Sequence, residues 1–251
     1  MGRIWVATTT RYDDENEVRT QLALSMVQAA RTLGIRAVTA DRSSNPRIAE
    51  LLTSEGAEVI REKDGATMGA GRRQALAYVK HLAAPDDAIV WMEPEKAPLV
   101  QFLPNVCALI LSGEADIVVP ARTEEGFASY PRVQVLAEQC GNAIFERCTG
   151  SALDVWFGPR AMNHRGAEYI LAYRGEYGDR WDAVFVPLLR ALKNGLRVTG
   201  CTVGYAHPSE QARAEAGNVE VGIKKRLEQL ASLGNALCEE TQRLELLSAV
   251  R

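Results

Sequence analysis

The chain is 251 residues long, 47% hydrophobic and 24% charged, with a formal net charge of -3. That is enough apolar material for one large α/β core, and the mild acidity excludes the sequence-wide basic footprint of a general nucleic-acid binder. No apolar run approaches the ~20 residues a bilayer crossing needs, and the five cysteines, at 107, 140, 148, 201 and 238, form no CxxC pair. Reduced thiols, with neither disulfide nor structural zinc, are therefore expected. The first strand begins almost at Met1, which leaves no room for a leader and predicts a cytoplasmic protein.

In chain order, residues 3–9 read as a first strand, and the polar stretch 10–14 leads into a helix carrying Val18, Leu22, Met26 and Ala30, stopped by Gly34. Residues 35–40 are a second strand. It closes on Asp41, after which Asn45 and Pro46 start a helix over 47–55 by capping and a pre-set φ. Residues 57–60 form a third strand, and 88–92 a fourth that is apolar throughout, as a buried parallel strand is. A helix over 100–112, a strand over 115–120, a loop over 123–132 and a helix over 133–148 follow. A short strand or turn lies within 150–162, a helix carries Phe185, Leu188, Leu189 and Leu192, and a last strand runs over 196–203. Strands alternating with helices at this spacing imply right-handed crossovers and a mostly parallel sheet, with ligand loops gathered at its carboxyl edge.

Two stretches carry chemistry. The fourth strand ends in Glu93-Pro94-Glu95, and in an extended segment residues i and i+2 point the same way, so both carboxylates are expected to face one cation. Residues 64–74 are glycine-rich and open a helix bearing Arg72 and Arg73. Close backbone approach, a helix N-terminus and two guanidinium groups suit a diphosphate. This stretch is neither a GxGxxG fingerprint, since Gln74 stands at its last glycine, nor a P-loop.

These landmarks, in this order, resemble the GT-A glycosyltransferases, the nucleotide-diphosphate-sugar transferase superfamily that includes glucosyl- and mannosyl-3-phosphoglycerate synthases, mannosylglycerate synthase-like and family-two enzymes. Glu93-Pro94-Glu95 stands where that family has Asp-x-Asp. Residues 154–162 resemble its acceptor-side Asp-x-x-x-Gly-x-x-Ala segment through Asp154 and Gly158. Trp181-Asp182 precedes a helix as a family acid does, and His207 follows the final strand.

The resemblance implies an α/β GT-A domain over residues 1–210 with a helical extension over 211–251. It implies a nucleoside-diphosphate sugar donor, a small-molecule acceptor, and Mg2+ or Mn2+ held by Glu93, Glu95 and His207. Thr9, Arg11 and Asp41 would hold the base and ribose, Arg72 and Arg73 the diphosphate, and Asp182 would be the general base of an inverting reaction. Glutamates in place of both family aspartates make each side chain one methylene longer. Two other readings stand beside this one: a non-catalytic or regulatory protein with the same fold, and a dinucleotide-dependent oxidoreductase, which the Thr8-Thr9-Thr10-Arg11 run after the first strand disfavours. In the tail, Val219, Ile223, Leu227, Leu230, Leu233 and Leu237 make an amphipathic stripe, followed by Leu244, Leu246 and Leu247. It is expected to fold back on the domain or to pair with a second copy in a homodimer.

Overall fold

The computed structural model describes residues 2–216 and 219–249. Its centre is a seven-stranded sheet in the order β3-β2-β1-β4-β6-β5-β7, formed by β1 (Ile4–Thr10), β2 (Arg36–Asp41), β3 (Glu58–Arg61), β4 (Ala88–Trp91), β5 (Ile117–Arg122), β6 (Arg160–Met162) and β7 (Val198–Val203). All neighbours are parallel except β6, which runs antiparallel between β4 and β5 with Trp91 opposite Arg160. That reversal brings the 150–158 segment back over the carboxyl edge and sets Gly158 beside the end of β4.

The helices form where the sequence places caps and breakers. In α2 (Pro46–Glu55) the Asn45 side chain accepts from Arg47 N–H, Pro46 occupies the first turn, and Gly56 ends the helix at φ 111°. Thr67 caps α3 (Met68–Leu82) by accepting from Ala70 N–H. Residue alternation along the strands then divides the core. Val6, Val90 and Val118 face one side, where α1 (Val18–Thr32), α2 and α4 (Leu103–Leu111) pack. Trp5, Ile89, Trp91, Ile117 and Val119 face the other, covered by α3, α6 (Arg132–Thr149), α7 (His164–Ala172) and α8 (Asp182–Lys193), with a short α5 (Glu124–Ala128) between β5 and α6.

After β7 come α9 (Ser209–Ala216) and α10 (Val219–Ala249). The α10 stripe folds back onto the domain, against α6 and α8. Leu233 and Leu237 are buried, Leu230 and Leu244 partly so, and Ile223, Leu227, Leu246 and Leu247 stay exposed; the side chain of Val219 lies outside the described residues. Glu240, fully buried on α10, ties it to α8 through Arg190 Nε at 2.9 Å and to the 173–181 loop through the Tyr177 hydroxyl at 3.0 Å. Among the described residues no helix is long and apolar enough to cross a membrane.

Candidate active site

A cavity of about 1050 Å3 lies over the carboxyl ends of β1, β2 and β4, where an open α/β sheet places its ligands. Three groups of side chains wall it. Thr9, Arg11, Arg42, Glu62 and Arg72 stand at one end, Glu93 to Lys96 and Gly158 at the floor, and His207, Glu215, Lys225, Arg226 and Gln229, from β7 onward, at the other end. Trp91, Trp156, Trp181 and Phe185 add an aromatic side.

The floor departs from the extended geometry expected of Glu93-Pro94-Glu95. The pleat of β4 stops at Trp91, and Lys96 N–H donates to the Glu93 carbonyl at 3.1 Å, so residues 93–96 form a tight turn with Pro94 at its second position. The two carboxylates consequently part. Glu95 is buried and taken by Arg19, whose Nε and Nη2 donate to Oε1 at 2.8 and 2.6 Å, and by the Tyr12 hydroxyl at 3.0 Å. Burial, then the Glu95 charge, push the Tyr12 hydroxyl well above its ordinary value, so it remains a proton donor to that carboxylate.

Glu93 has no such clamp. Its Oε2 is buried without a hydrogen-bond partner, and Lys96 Nζ lies 3.3 Å away, at ion-pair distance but outside hydrogen-bond geometry. Gly158, at φ 107°, faces this carboxylate so closely that an added Cβ would stand 2.6 Å from Oε1. The acceptor-side glycine of the sequence is thus the residue that leaves room for Glu93.

Two buried cations, Arg72 and Arg160, and the half-buried Lys96 surround the floor. Burial draws the Lys96 ammonium down, but the Glu93 charge and its neighbours outweigh it and hold the group above its ordinary value. Burial wins at Arg72, which is lowered despite Glu93, and at Arg160, brought down to about 10.

His207 does not join the glutamates. Its ring stacks on Tyr130 with centroids 4.3 Å apart, and Nε2 lies 3.2 Å from Glu215 Oε2. The three-residue metal set expected from the sequence is therefore not assembled: among the described residues no three His, Cys, Asp or Glu side chains form a group that could hold a metal ion. One carboxylate does fit a divalent cation, because Glu93 Oε2 is an orphaned buried oxygen and hard cations commonly take one or two carboxylates and complete their shell with phosphate oxygens.

Thr9, Arg11 and Arg72 reach the cavity wall as expected. Four other expected residues turn inward. Arg73 makes a two-point pair with Asp179, at 2.5 and 2.9 Å. Asp41 accepts from the Thr10 hydroxyl at 2.7 Å and the Ser43 hydroxyl at 2.6 Å, joining the ends of β1 and β2. Asp154 is buried against Arg122, whose Nε and Nη2 donate at 2.8 Å each. Asp182, 1% exposed, accepts from the Tyr173 hydroxyl and from the N–H groups of Asp179 and Arg180 at 3.0 and 2.7 Å. With both oxygens engaged it holds the loop before α8.

The glycine-rich stretch also serves packing. A Cβ on Gly69 would strike the Asp179 carboxylate, and one on Gly71 would lie 2.8 Å from that of Glu62. The reading from sequence passed over Lys96, Arg42, Glu62 and the Tyr12–Arg19 clamp. For Lys96 the signal was present, since a proline after Glu93 favours a turn that brings positions i and i+3 together.

No family model matches the chain, and no curated protein does. Solved structures do. Glucosyl-3-phosphoglycerate synthase from Mycobacterium tuberculosis in complex with phosphoglyceric acid superposes with a TM-score of 0.60 at 16% identity, over 93% of this chain and 80% of that one. The complex of the same enzyme with Mn2+, UDP-glucose and phosphoglyceric acid gives 0.59 at 16% identity, with the same coverage. Its complex with Mg2+ and UDP gives 0.59 at 16%, again over 93% and 80%. The chain has the GT-A fold. The orphaned Glu93 and the cation-rich floor thus lie in a GT-A sheet at the strand ends, in the position the topology reserves for a ligand.

Proposed function

We propose that the protein is a glycosyltransferase that moves a sugar from a nucleoside-diphosphate donor to a small polar acceptor. The observation that carries the reading is the cavity at the carboxyl edge of a GT-A sheet, with a buried, unbonded Glu93 oxygen at its floor and Arg11 and Arg72 on its wall. In the reaction the acceptor hydroxyl oxygen bonds to the anomeric carbon, and the bond from that carbon to the β-phosphate oxygen breaks with its electron pair staying on the departing nucleoside diphosphate. The hydroxyl proton passes to that diphosphate and on to water. Thr9, Arg11 and Arg42 bind the nucleoside end, Arg72 the diphosphate, and the α9–α10 end receives the acceptor. Lys225 and Arg226 there favour an anionic acceptor, and the solved neighbours hold phosphoglyceric acid or glycerol 3-phosphate.

A divalent cation, which those neighbours hold as Mn2+ or Mg2+, would be held through Glu93 and would stabilise negative charge on the departing diphosphate. Glu95 and His207, engaged by Arg19 and Glu215, would not be among its ligands. Thermal unfolding in the presence of nucleoside-diphosphate sugars, with and without Mn2+, tests the reading: a ligand that binds the native state alone raises its melting temperature. UDP-glucose with phosphoglyceric acid is the first pair to assay for transfer. No shift with any such sugar sinks the proposal.

A second reading is favoured by one observation, the engagement of Glu95 and Asp182 by the protein's own hydrogen-bond donors. A chain so arranged could bind a nucleotide sugar without transferring it, and binding without turnover is the outcome that would select this reading. The proposal includes a homodimer, with the exposed Ile223 and Leu227 of α10 as its apolar contact; light scattering at micromolar concentration that returns a monomer excludes it.

A further inference from the structure

The floor of the cavity is charged unlike a site that waits for metal alone. Lys96, Arg72 and Arg160 stand around Glu93, and among the described residues neither Arg72 nor Arg160 has an ion-pair partner. The Arg160 guanidinium is spent on the carbonyls of Val155, Gly158 and Pro159 at 2.7, 3.0 and 2.7 Å. Arg72 uses one N–H on the Arg180 carbonyl at 2.8 Å and lies over the Trp91 ring at 4.7 Å, which leaves its other donors on the cavity side. Among the described residues the ion pair of Lys96 is the loose one to Glu93 at 3.3 Å, and its ammonium stands 5.5 Å over the Phe157 ring. Of the other carboxylates near these cations, Glu95 and Glu138 line the cavity and act on Lys96 but are taken by Arg19 and Arg122, and Asp182, Asp179 and Asp154 are committed to hydrogen bonds. Two cations, Lys96 and Arg72, thus line the cavity beside Glu93, the carboxylate among their neighbours that keeps a buried oxygen with no hydrogen bond.

Resting on the reading above as a nucleotide-sugar site, we propose that Lys96 together with Arg72 is a built-in receptor for the donor's diphosphate, so that nucleoside diphosphates bind with no divalent cation present. In the free protein Lys96 neutralises Glu93. On binding, its ammonium turns to the phosphate oxygens, which offer the hydrogen-bond geometry that the 3.3 Å contact lacks. The Glu93 oxygen is thereby released for a cation, whose role becomes additive to the protein's own charge.

Isothermal titration calorimetry with UDP, GDP, ADP and CDP, each in EDTA and in Mg2+, decides the matter. At least one diphosphate is expected to bind in EDTA within about tenfold of its affinity in Mg2+, and Lys96→Met to weaken that metal-free binding by about tenfold or more, the worth of one lost charge-assisted hydrogen bond. Lys96→Arg, which keeps the charge, should retain most of it. Circular dichroism verifies that the variants fold; should Lys96→Met fail to, the native protein in EDTA and the Lys96→Arg variant still decide. Binding seen in Mg2+ and abolished in EDTA, or a folded Lys96→Met that binds as tightly in EDTA as the native chain, overturns this inference and leaves the transferase reading in place. No binding of any diphosphate in either buffer overturns both.

Discussion

Asp154 and Glu93 stand at neighbouring strand ends, one leading into β6 and one following β4, and their surroundings differ in a single respect that separates structure from function. Asp154 accepts from Arg122 N–H, Nε and Nη2 and from Asn142 Nδ2, at 3.1, 2.8, 2.8 and 2.9 Å. Burial alone would push its carboxyl up, but the Arg122 hydrogen bonds and charge outweigh that and hold it below its ordinary value. Glu93 keeps a buried oxygen with no hydrogen bond and a lysine at 3.3 Å. A buried polar group left unpaired costs stability, and such groups concentrate where a ligand completes the set. Saturated acids at this edge hold the fold, and the unsaturated one faces the cavity.

Breaking the saturated side should cost most. Asp154→Ala leaves the Arg122 guanidinium with Glu138 alone and should lower stability by about 3–5 kcal/mol, as removing one partner of a buried pair does; urea unfolding measures it, and a loss below about 1 kcal/mol would make Asp154 dispensable to the fold.

Glu240 extends the comparison to α10. Burial would raise its carboxyl, but Arg243 and Arg190 bring it down to about 2 from an ordinary 4.5. A depressed folded pKa gives stability that is complete above about pH 4.5 and is lost as the pH falls toward about 2. Glu240→Gln should therefore cost about 2 kcal/mol at neutral pH and flatten the acid limb of a stability-against-pH curve. An unchanged acid limb would mean that α10 is not tied to α8 through this carboxylate.

Asp182 sharpens the contrast, because two roles predict opposite results. As a loop-holding acceptor, Asp182→Asn should lose about 1–3 kcal/mol of stability, since the amide nitrogen cannot accept from a backbone N–H. A variant as stable as the native chain but inactive would restore the general-base assignment.

The smallest effect on stability belongs to Glu93→Gln, about 1 kcal/mol or less, since only a loose ion pair is lost. Its effect on ligands is the large one: nucleoside-diphosphate affinity in the presence of Mg2+ should fall, while affinity in EDTA should hold or rise, since Lys96 no longer has a carboxylate to leave. Equal affinities in both buffers for native and variant proteins would remove Glu93 from the cation's surroundings.

Periodicity and punctuation carried the architecture. The alternation of strand and helix, and Asn45 with Pro46, act on neighbouring backbone, so chain order alone announces a mostly parallel α/β sheet with ligand loops at its carboxyl edge. Residues whose position depends on one strand end, Thr9 and Arg11, or on one helix start, Arg72, were legible for the same reason. Which acids would be free was not, because that depends on partners distant in sequence. Arg19 reaches Glu95 across 76 residues, Arg122 reaches Asp154 across 32, and Arg73 reaches Asp179 across 106. The antiparallel insertion of β6, which sets Gly158 against Glu93, is also a pairing between segments far apart in the chain. Sequence determined which functional groups arrive at the sheet edge, since local backbone preferences deliver them there. Tertiary structure decided which of them remain available, since a carboxylate is occupied or free according to the hydrogen-bond donors that folding brings within about 3 Å of it.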